Sequence, residues 1–342
     1  MIVRARAPLR LGLAGGGTDV SPYCDVYGGH VMNATIDKYA YAILSPSESG
    51  QCEFAALDVG VSEVHDCGAI PVQGGALQLL KGVHARVCRD FLSGESRPLK
   101  VQTFSDAPPG SGLGSSSTMV VALVQAFVEY YSLPLGEYEV AHLAYEIERN
   151  DLRLAGGKQD QYAATFGGFN FMEFYADNRV IVNPLRVKEW VWSELEASIV
   201  LYFTGVSRAS ADIIDQQAKN VTEGKQTSID AMHSLKQEAV EMKECVLRGD
   251  LGRLARTLQA GWEAKKNMAS SITNPLIEEV ERLAFANGAH AAKVSGAGGG
   301  GFMIFMCKPE KRIGLTRALS AQGGRLLDFH FTQQGAASWR IM

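Results

Sequence analysis

From Leu99 to Phe104 apolar and polar residues alternate, the period of a strand with one buried face. Beyond Pro108-Pro109 the alternation gives way to an apolar run, Thr118–Val128, which predicts a buried helix. The spacing of Val140, Leu143, Ala144 and Ile147 predicts a second helix over Glu137–Asn150, with Glu146, Glu148 and Arg149 on its polar face. Residues 2–45 read as strands interrupted by a glycine loop, with Tyr39–Leu44 strand-like in composition. A new strand, Ser198–Phe203, follows the Trp-containing segment Lys188–Glu196, and Ser210–Lys265 reads as mainly helical. Asn274-Pro275 offers an N-cap with proline at the first helical position. Strands at Ala291–Ser295, Phe302–Cys307 and Leu326–Phe331 then alternate with a helix over Pro309–Ala321. The new strand near Ser198 predicts a second domain, dividing the chain into 1–195 and 196–342, without internal repeats or low-complexity tracts.

The 342 residues, 46% hydrophobic and 20% charged, suffice for two packed domains and exclude a disordered class. A formal net charge of −4, with Lys and Arg scattered, removes the basic footprint of a nucleic-acid binder. Small-molecule chemistry is the expectation that remains. Met1–Pro8 lacks the apolar core of a signal peptide and no run reaches the length of a membrane span, which predicts a cytoplasmic protein without a membrane partner. The size class is compatible with a homodimer. The six cysteines form no C-x-x-C pair and no metal-ligand spacing with the histidines, so they are expected as reduced thiols. His65-Asp66-Cys67 is expected in a surface turn, and Arg4 and Arg6 as structural residues on a strand.

Candidate chemistry lies in three glycine-rich stretches, Pro8–Asp19, Pro108–Ser117 and Lys293–Phe302. Glycine clusters beside hydroxyl and charged residues suit close backbone approach to an anion. The middle stretch, Gly110-Ser111-Gly112-Leu113-Gly114-Ser115-Ser116-Ser117, runs straight into the apolar helix, whose free N–H groups and dipole favour phosphate. It is not a Walker A loop, because no Gly-Lys pair in the chain is followed by Ser or Thr. Gly296–Gly301 matches the dinucleotide fingerprint formally, but the strand-like Phe302–Met306 follows it where a helix is required. Taken alone, that third stretch reads as a tight turn.

In their order, these stretches resemble the three motifs of the GHMP kinases. The resemblance covers essentially the whole chain and implies a two-domain fold, an N-terminal mixed α/β nucleotide-binding domain followed by a ferredoxin-like α+β domain. It also implies ATP, its phosphates held by Pro109, Gly110, Ser111, Gly112, Leu113, Gly114, Ser115, Ser116 and Ser117. Ala7, Pro8, Arg10, Thr18 and Asp19 match the sugar kinases of the family, except that Leu9 replaces their glycine. By that matching Asp160 faces the attacking hydroxyl, with Arg10 as its cationic partner, and Asp19 accepts hydrogen bonds from sugar hydroxyls. Phosphoryl transfer is largely positioning and charge stabilisation, which suits this pair of opposite charges. Magnesium is implied at Ser116 and a glutamate best matched by Glu148, with Glu146 its rival.

Where galactokinases carry Gly-Glu-His before Thr-Asp, this chain carries Gly15-Gly16-Gly17. Loss of a carboxylate there favours an anionic acceptor, a phosphosugar. The surrounding segments, through Asn33–Asp37 and Gly157–Tyr162, resemble the D-glycero-D-manno-heptose 7-phosphate kinases, which act on the anomeric hydroxyl. Gly15, Gly16, Gly17, Thr18, Asp19, Gly296, Gly298 and Gly299 are then expected on the acceptor side, with Lys158 and Arg208 as candidate phosphate cations. A fucose-type or other free-sugar kinase, or a catalytically silent sensor on the same fold, are the alternatives.

Overall fold

The computed structural model describes residues 1–205, 210–268 and 271–341; Arg208 lies outside them. Strand β1 (Ile2–Ala14) starts with alternating burial, then buries both faces from Ala7 to Leu11, and carries the first half of the first glycine stretch. A loop and the short helix α1 (Tyr23–Tyr27) lead to the long β2 (Gly29–Pro46), antiparallel to β1. The hairpin of β3 (Cys52–Ala56) and edge strand β4 (Val61–His65) follows. His65 therefore ends a strand and pairs with Glu63, where a surface turn was expected, because Cys52 lies directly opposite it in the ladder. Helix α2 (Gln78–Phe91) leads to β5 (Leu99–Ser105), which is the alternating segment and is parallel to β3.

The apolar run forms α3 (Ser115–Tyr131), buried almost all round beneath the first sheet. Its neighbour α4 (Glu137–Glu146) is shorter than expected, because residues Ile147–Asp151 widen into a π turn, a distortion common at functional sites. Helix α5 (Gln159–Phe166), strands β6 (Phe169–Phe174) and β7 (Val180–Pro184), and helix α6 (Glu189–Ser198) complete this half.

The second half opens with β8 (Ile199–Phe203), then the helices α7 (Ser210–Thr222), α8 (Gln226–Arg248), α9 (Leu251–Lys266) and α10 (Pro275–Ala286). Asn274 caps α10 as its sequence predicts, accepting a hydrogen bond from Ile277 N, with Pro275 in the first turn. Strands β9 (Ala289–Val294) and β10 (Phe302–Cys307), helix α11 (Arg312–Ser320) and β11 (Arg325–Leu327) follow. The antiparallel order β11-β8-β10-β9 is the ferredoxin-like arrangement. Both faces of this sheet are covered, so β8 and β10 are continuous apolar runs without alternation. The expected strand Leu326–Phe331 stops at Leu327; Phe329 and Phe331 instead turn into the core shared by the two sheets, and Phe331 bridges Ile36.

The last strand, β12 (Ala337–Ile341), returns to the first sheet and pairs with β1. The division expected after residue 195 falls inside α6, and one core joins Leu11 and Met32 of the first sheet to Leu201 and Ile304 of the second. Among the described residues no helix is long and apolar enough to cross a membrane. The six cysteines are free thiols.

Candidate active site

A cavity of about 600 Å³ opens where the three glycine stretches meet, a volume typical of a small-molecule site. Its reactive pair is Arg10 on β1 and Asp160 in the first turn of α5. Arg10 Nε and Nη2 lie 2.7 and 2.6 Å from the same oxygen, Asp160 Oδ1. Among the described residues Oδ2 accepts no hydrogen bond from the protein, so one oxygen is anchored and the other is left for a ligand. Arg10 is also tied to the middle stretch, since Nη1 donates to Gly112 O at 2.7 Å and its backbone N to Leu113 O at 3.1 Å.

The middle stretch turns on Gly112 and Gly114, both at positive φ. At Gly112 a Cβ would stand 2.4 Å from Ser295 O, and Ser295 Oγ donates to Gly112 O, so the third stretch backs the second. Helix α3 starts at Gly114 with no side-chain cap, which leaves the first-turn N–H groups of three serines facing the cavity. Pro109, Gly110, Gly112, Gly114, Ser115, Ser116 and Ser117 line it, whereas Ser111 and Leu113 are fully buried behind the loop. An extended anion fits this row of unpaired donors.

Glu148, in the π turn, is only 1% exposed. One oxygen accepts from Gln161 Nε2 at 2.5 Å; the other receives Ser116 Oγ at 3.4 Å, with Arg149 Nη1 at 3.8 Å. A buried carboxylate beside a hydroxyl, with so distant a cation, suits a hard divalent ion whose remaining ligands come from phosphate and water. Glu146 is excluded from that role by its place in a surface network with Arg86 and Asn150.

Asp19 has a different environment from the one expected. Oδ1 accepts from Gly17 N and Gln159 Nε2, both at 3.1 Å; Oδ2 accepts from Lys158 N at 2.9 Å and Gln159 N at 3.0 Å. A carboxylate offers about four lone-pair sites, and protein donors fill them all. Asp19 is thus the N-terminal cap of α5, supplied from a distant loop, and it fixes the turn that presents Asp160. Gly157 makes room for it, because a Cβ there would stand 2.0 Å from Asp19 Oδ2.

Of the acceptor-side candidates, Gly16, Gly17, Asp19 and Gly296 line the cavity. Gly15 and Thr18 lie behind it: Thr18 Oγ1 contacts Gly15 O and His30 O, and a Cβ on Gly15 would strike His30 O. Gly298 and Gly299 pack on Ile272, with Gly299 N donating to Ile272 O at 2.7 Å. Lys158 is buried, but its ammonium faces Asp25 Oδ1 at 3.5 Å and Cys24 Sγ at 3.7 Å in a smaller adjoining pocket. The wall also includes Lys265 from α9, Lys293 from β9 and Gln217 from α7. Burial pushes both ammonium groups down, Lys265 to about 7; Glu238 opposes the shift at Lys293, and Asp19 opposes it at Lys265. Only Lys293 had a sequence signal, its place at the head of the third stretch.

Models of the GHMP kinase N-terminal and C-terminal domains match residues 78–168 and 242–324. The chain is 49% identical to a D-glycero-alpha-D-manno-heptose 7-phosphate kinase of Campylobacter jejuni, over 99% of each chain. It is 47% identical to the solved structure of a D-glycero-D-manno-heptose 1-phosphate kinase from Bacteroides thetaiotaomicron, with a TM-score of 0.84 and 99% of each chain covered. A more distant relative is a Bacteroides fragilis L-fucokinase/L-fucose-1-P guanylyltransferase, 24% identical over 93% of this chain and 36% of that one. A cavity that joins an anion-binding helix terminus to an anchored carboxylate, in a chain matched end to end by such enzymes, belongs to an ATP-dependent phosphotransferase of the GHMP kinase family.

Proposed function

We propose that this kinase transfers the γ-phosphoryl group of ATP to the anomeric hydroxyl of D-glycero-D-manno-heptose 7-phosphate, giving the 1,7-bisphosphate. The product would supply nucleotide-heptose for a surface polysaccharide, capsule or lipopolysaccharide. The supporting observation is the Asp160 carboxylate, one oxygen clamped by Arg10 and the other open, in the same cavity as the uncapped α3 terminus. The first-turn N–H groups of α3 would cradle the nucleotide phosphates. Ser116 and Glu148 would hold magnesium, which when bound neutralises phosphate charge. Asp160 Oδ2 takes the hydroxyl proton as the new oxygen–phosphorus bond forms and the bond to the β–γ bridging oxygen breaks, releasing ADP. Arg10 holds the base in place and balances its charge. Gly16-Gly17, where a carboxylate would repel an anion, keeps the acceptor side open to a phosphosugar.

The names of the two close relatives place the sugar phosphate differently, at position 7 and at position 1. Coupled ADP release with the 7-phosphate, the free heptose, fucose, galactose and mannose, followed by phosphorus NMR of the product, tests the assignment. A bisphosphate formed from the 7-phosphate alone is expected; turnover of a free sugar in its place would overturn the phosphosugar reading. Asp160→Asn should abolish turnover while ATP binding persists, and retained turnover would remove Asp160 from its role as base.

A further inference from the structure

We infer that Lys265 and Gln217 form the subsite that holds the acceptor's own phosphate, and so select a phosphosugar over a free sugar. The inference rests on the phosphosugar reading above. Lys265, in the last turn of α9, is 3% exposed, and among the described residues its ammonium hydrogen-bonds one protein oxygen, the Gly296 carbonyl. No carboxylate lies within salt-bridge distance of it among the described residues, unlike Arg10, which has Asp160. None of its three donors therefore has an anionic partner among these residues, and two have no partner there at all, in an interior where an uncompensated charge is costly. Gln217, 4% exposed, leaves Nε2 without any hydrogen-bond partner among the described residues, again at the cavity wall. Buried donors are seldom left unpaired without a ligand or water to receive them.

Gly17 lies beside the second of these groups. A Cβ there would stand 3.2 Å from Met268 Cε and 3.5 Å from Gln217 Oε1, so the glycine keeps the space between α7, α9 and the first stretch open. Asp19, the carboxylate nearest in sequence, has its lone pairs occupied by α5 and Gly17 and is not free to neutralise Lys265. An ammonium without a carboxylate in salt-bridge distance among the described residues and an unpartnered amide N–H, both on the wall of the cavity, match a phosphate monoester. The charged groups that act on Lys265 are Lys293 and Arg10, which lower its pKa, and Asp19, which raises it. A dianion placed beside it reverses this balance, so binding draws a proton onto the lysine.

The test uses the full chain with Lys265→Met, which keeps the aliphatic stem, and Gln217→Leu as an independent second variant. Calorimetric binding of D-glycero-D-manno-heptose 7-phosphate and of ATP is measured for each, in buffers of different ionisation enthalpy at pH 7.5. Lys265→Met should weaken the phosphosugar about 10–100-fold and Gln217→Leu about 3–10-fold, the range for lost hydrogen bonds to a charged group. ATP affinity should stay within about twofold, and the proton taken up on phosphosugar binding should disappear in Lys265→Met. Unchanged phosphosugar affinity in both variants, or a loss confined to ATP, would overturn the subsite while leaving the proposed substrate intact. Wild-type protein that fails to bind the phosphosugar overturns the substrate reading itself and this inference with it.

Discussion

Asp19→Asn separates two roles that one carboxylate at the edge of a sugar site can have. As a cap, Asp19 satisfies Gly17 N, Lys158 N, Gln159 N and the Gln159 side chain, at 2.9 to 3.1 Å. The asparagine can keep its carbonyl on Lys158 N and Gln159 N, and Gln159 can turn its own oxygen to meet the new amide. Gly17 N then faces an N–H group and is unpaired. One donor orphaned in this half-buried turn costs up to about 1–3 kcal/mol. Loss of the negative charge at the N-terminus of α5 adds about 0.3–1 kcal/mol. The expected loss of stability is therefore about 1–4 kcal/mol, read by urea denaturation followed through tryptophan fluorescence. Because Asp160 lies in the first turn of the helix that loses this charge, kcat should fall as well, while the dissociation constant for the sugar changes little. A side chain whose main task is to accept sugar hydroxyls behaves oppositely: unaltered unfolding with sugar binding weakened tenfold or more. Stability within about 0.5 kcal/mol of wild type, together with a large rise in the sugar dissociation constant, would refute the capping argument.

Gly112→Ala places a Cβ 2.4 Å from Ser295 O at a φ of 81°, so it should cost about 1–3 kcal/mol and weaken ATP binding, measured by thermal denaturation and titration. Glu148→Gln should raise the magnesium concentration for half-maximal activity at least the roughly tenfold that losing a metal's supporting partner typically costs; an unaltered magnesium curve would remove Glu148 from the metal site. Lys265, pushed by burial from 10.5 to about 7, leaves the unfolded chain binding more protons between those values, so its destabilising effect is full below pH 7 and fades as pH rises toward 10.5. Lys265→Met should accordingly melt higher than wild type at pH 7, and the difference should shrink by pH 9.5.

The glycine stretches were legible because their composition answers a backbone need, and α3 because no strand carries so long an apolar run. Arg10 and Asp160 emerged from the family resemblance, and the structure adds that they share a single oxygen. Lys265 was not legible, since a Lys265-Lys266 pair in the last turn of a helix reads as a complement to its dipole. Only packing separates the two, with Lys266 pairing to Glu263 at the surface and Lys265 turned beneath the glycine stretch. Lys158 shows the converse: a lysine in a glycine loop suggests a ligand cation, and the structure puts its backbone N on Asp19 and its ammonium beside Asp25 in the adjoining pocket. Strand β12 carried little signal because its five residues gain their partner only from the free edge of β1.

The third glycine stretch shows why such a reading reaches its limit. Gly301 faces Ser111 O, and Gly296 crowds Gly112, while Gly296 also borders the cavity. Close approach of one backbone to another and close approach of a backbone to phosphate make the same demand on sequence, a residue without Cβ. Composition alone therefore cannot tell a loop that binds a phosphate from the loop that braces it. The distinction comes from the hydrogen bonds: Ser295 Oγ and Arg10 Nη1 both spend themselves on Gly112 O, whereas the uncapped terminus of α3 leaves its donors open. The bracing loop and the binding loop are thus joined through one carbonyl, and Arg10 extends that joint to the base.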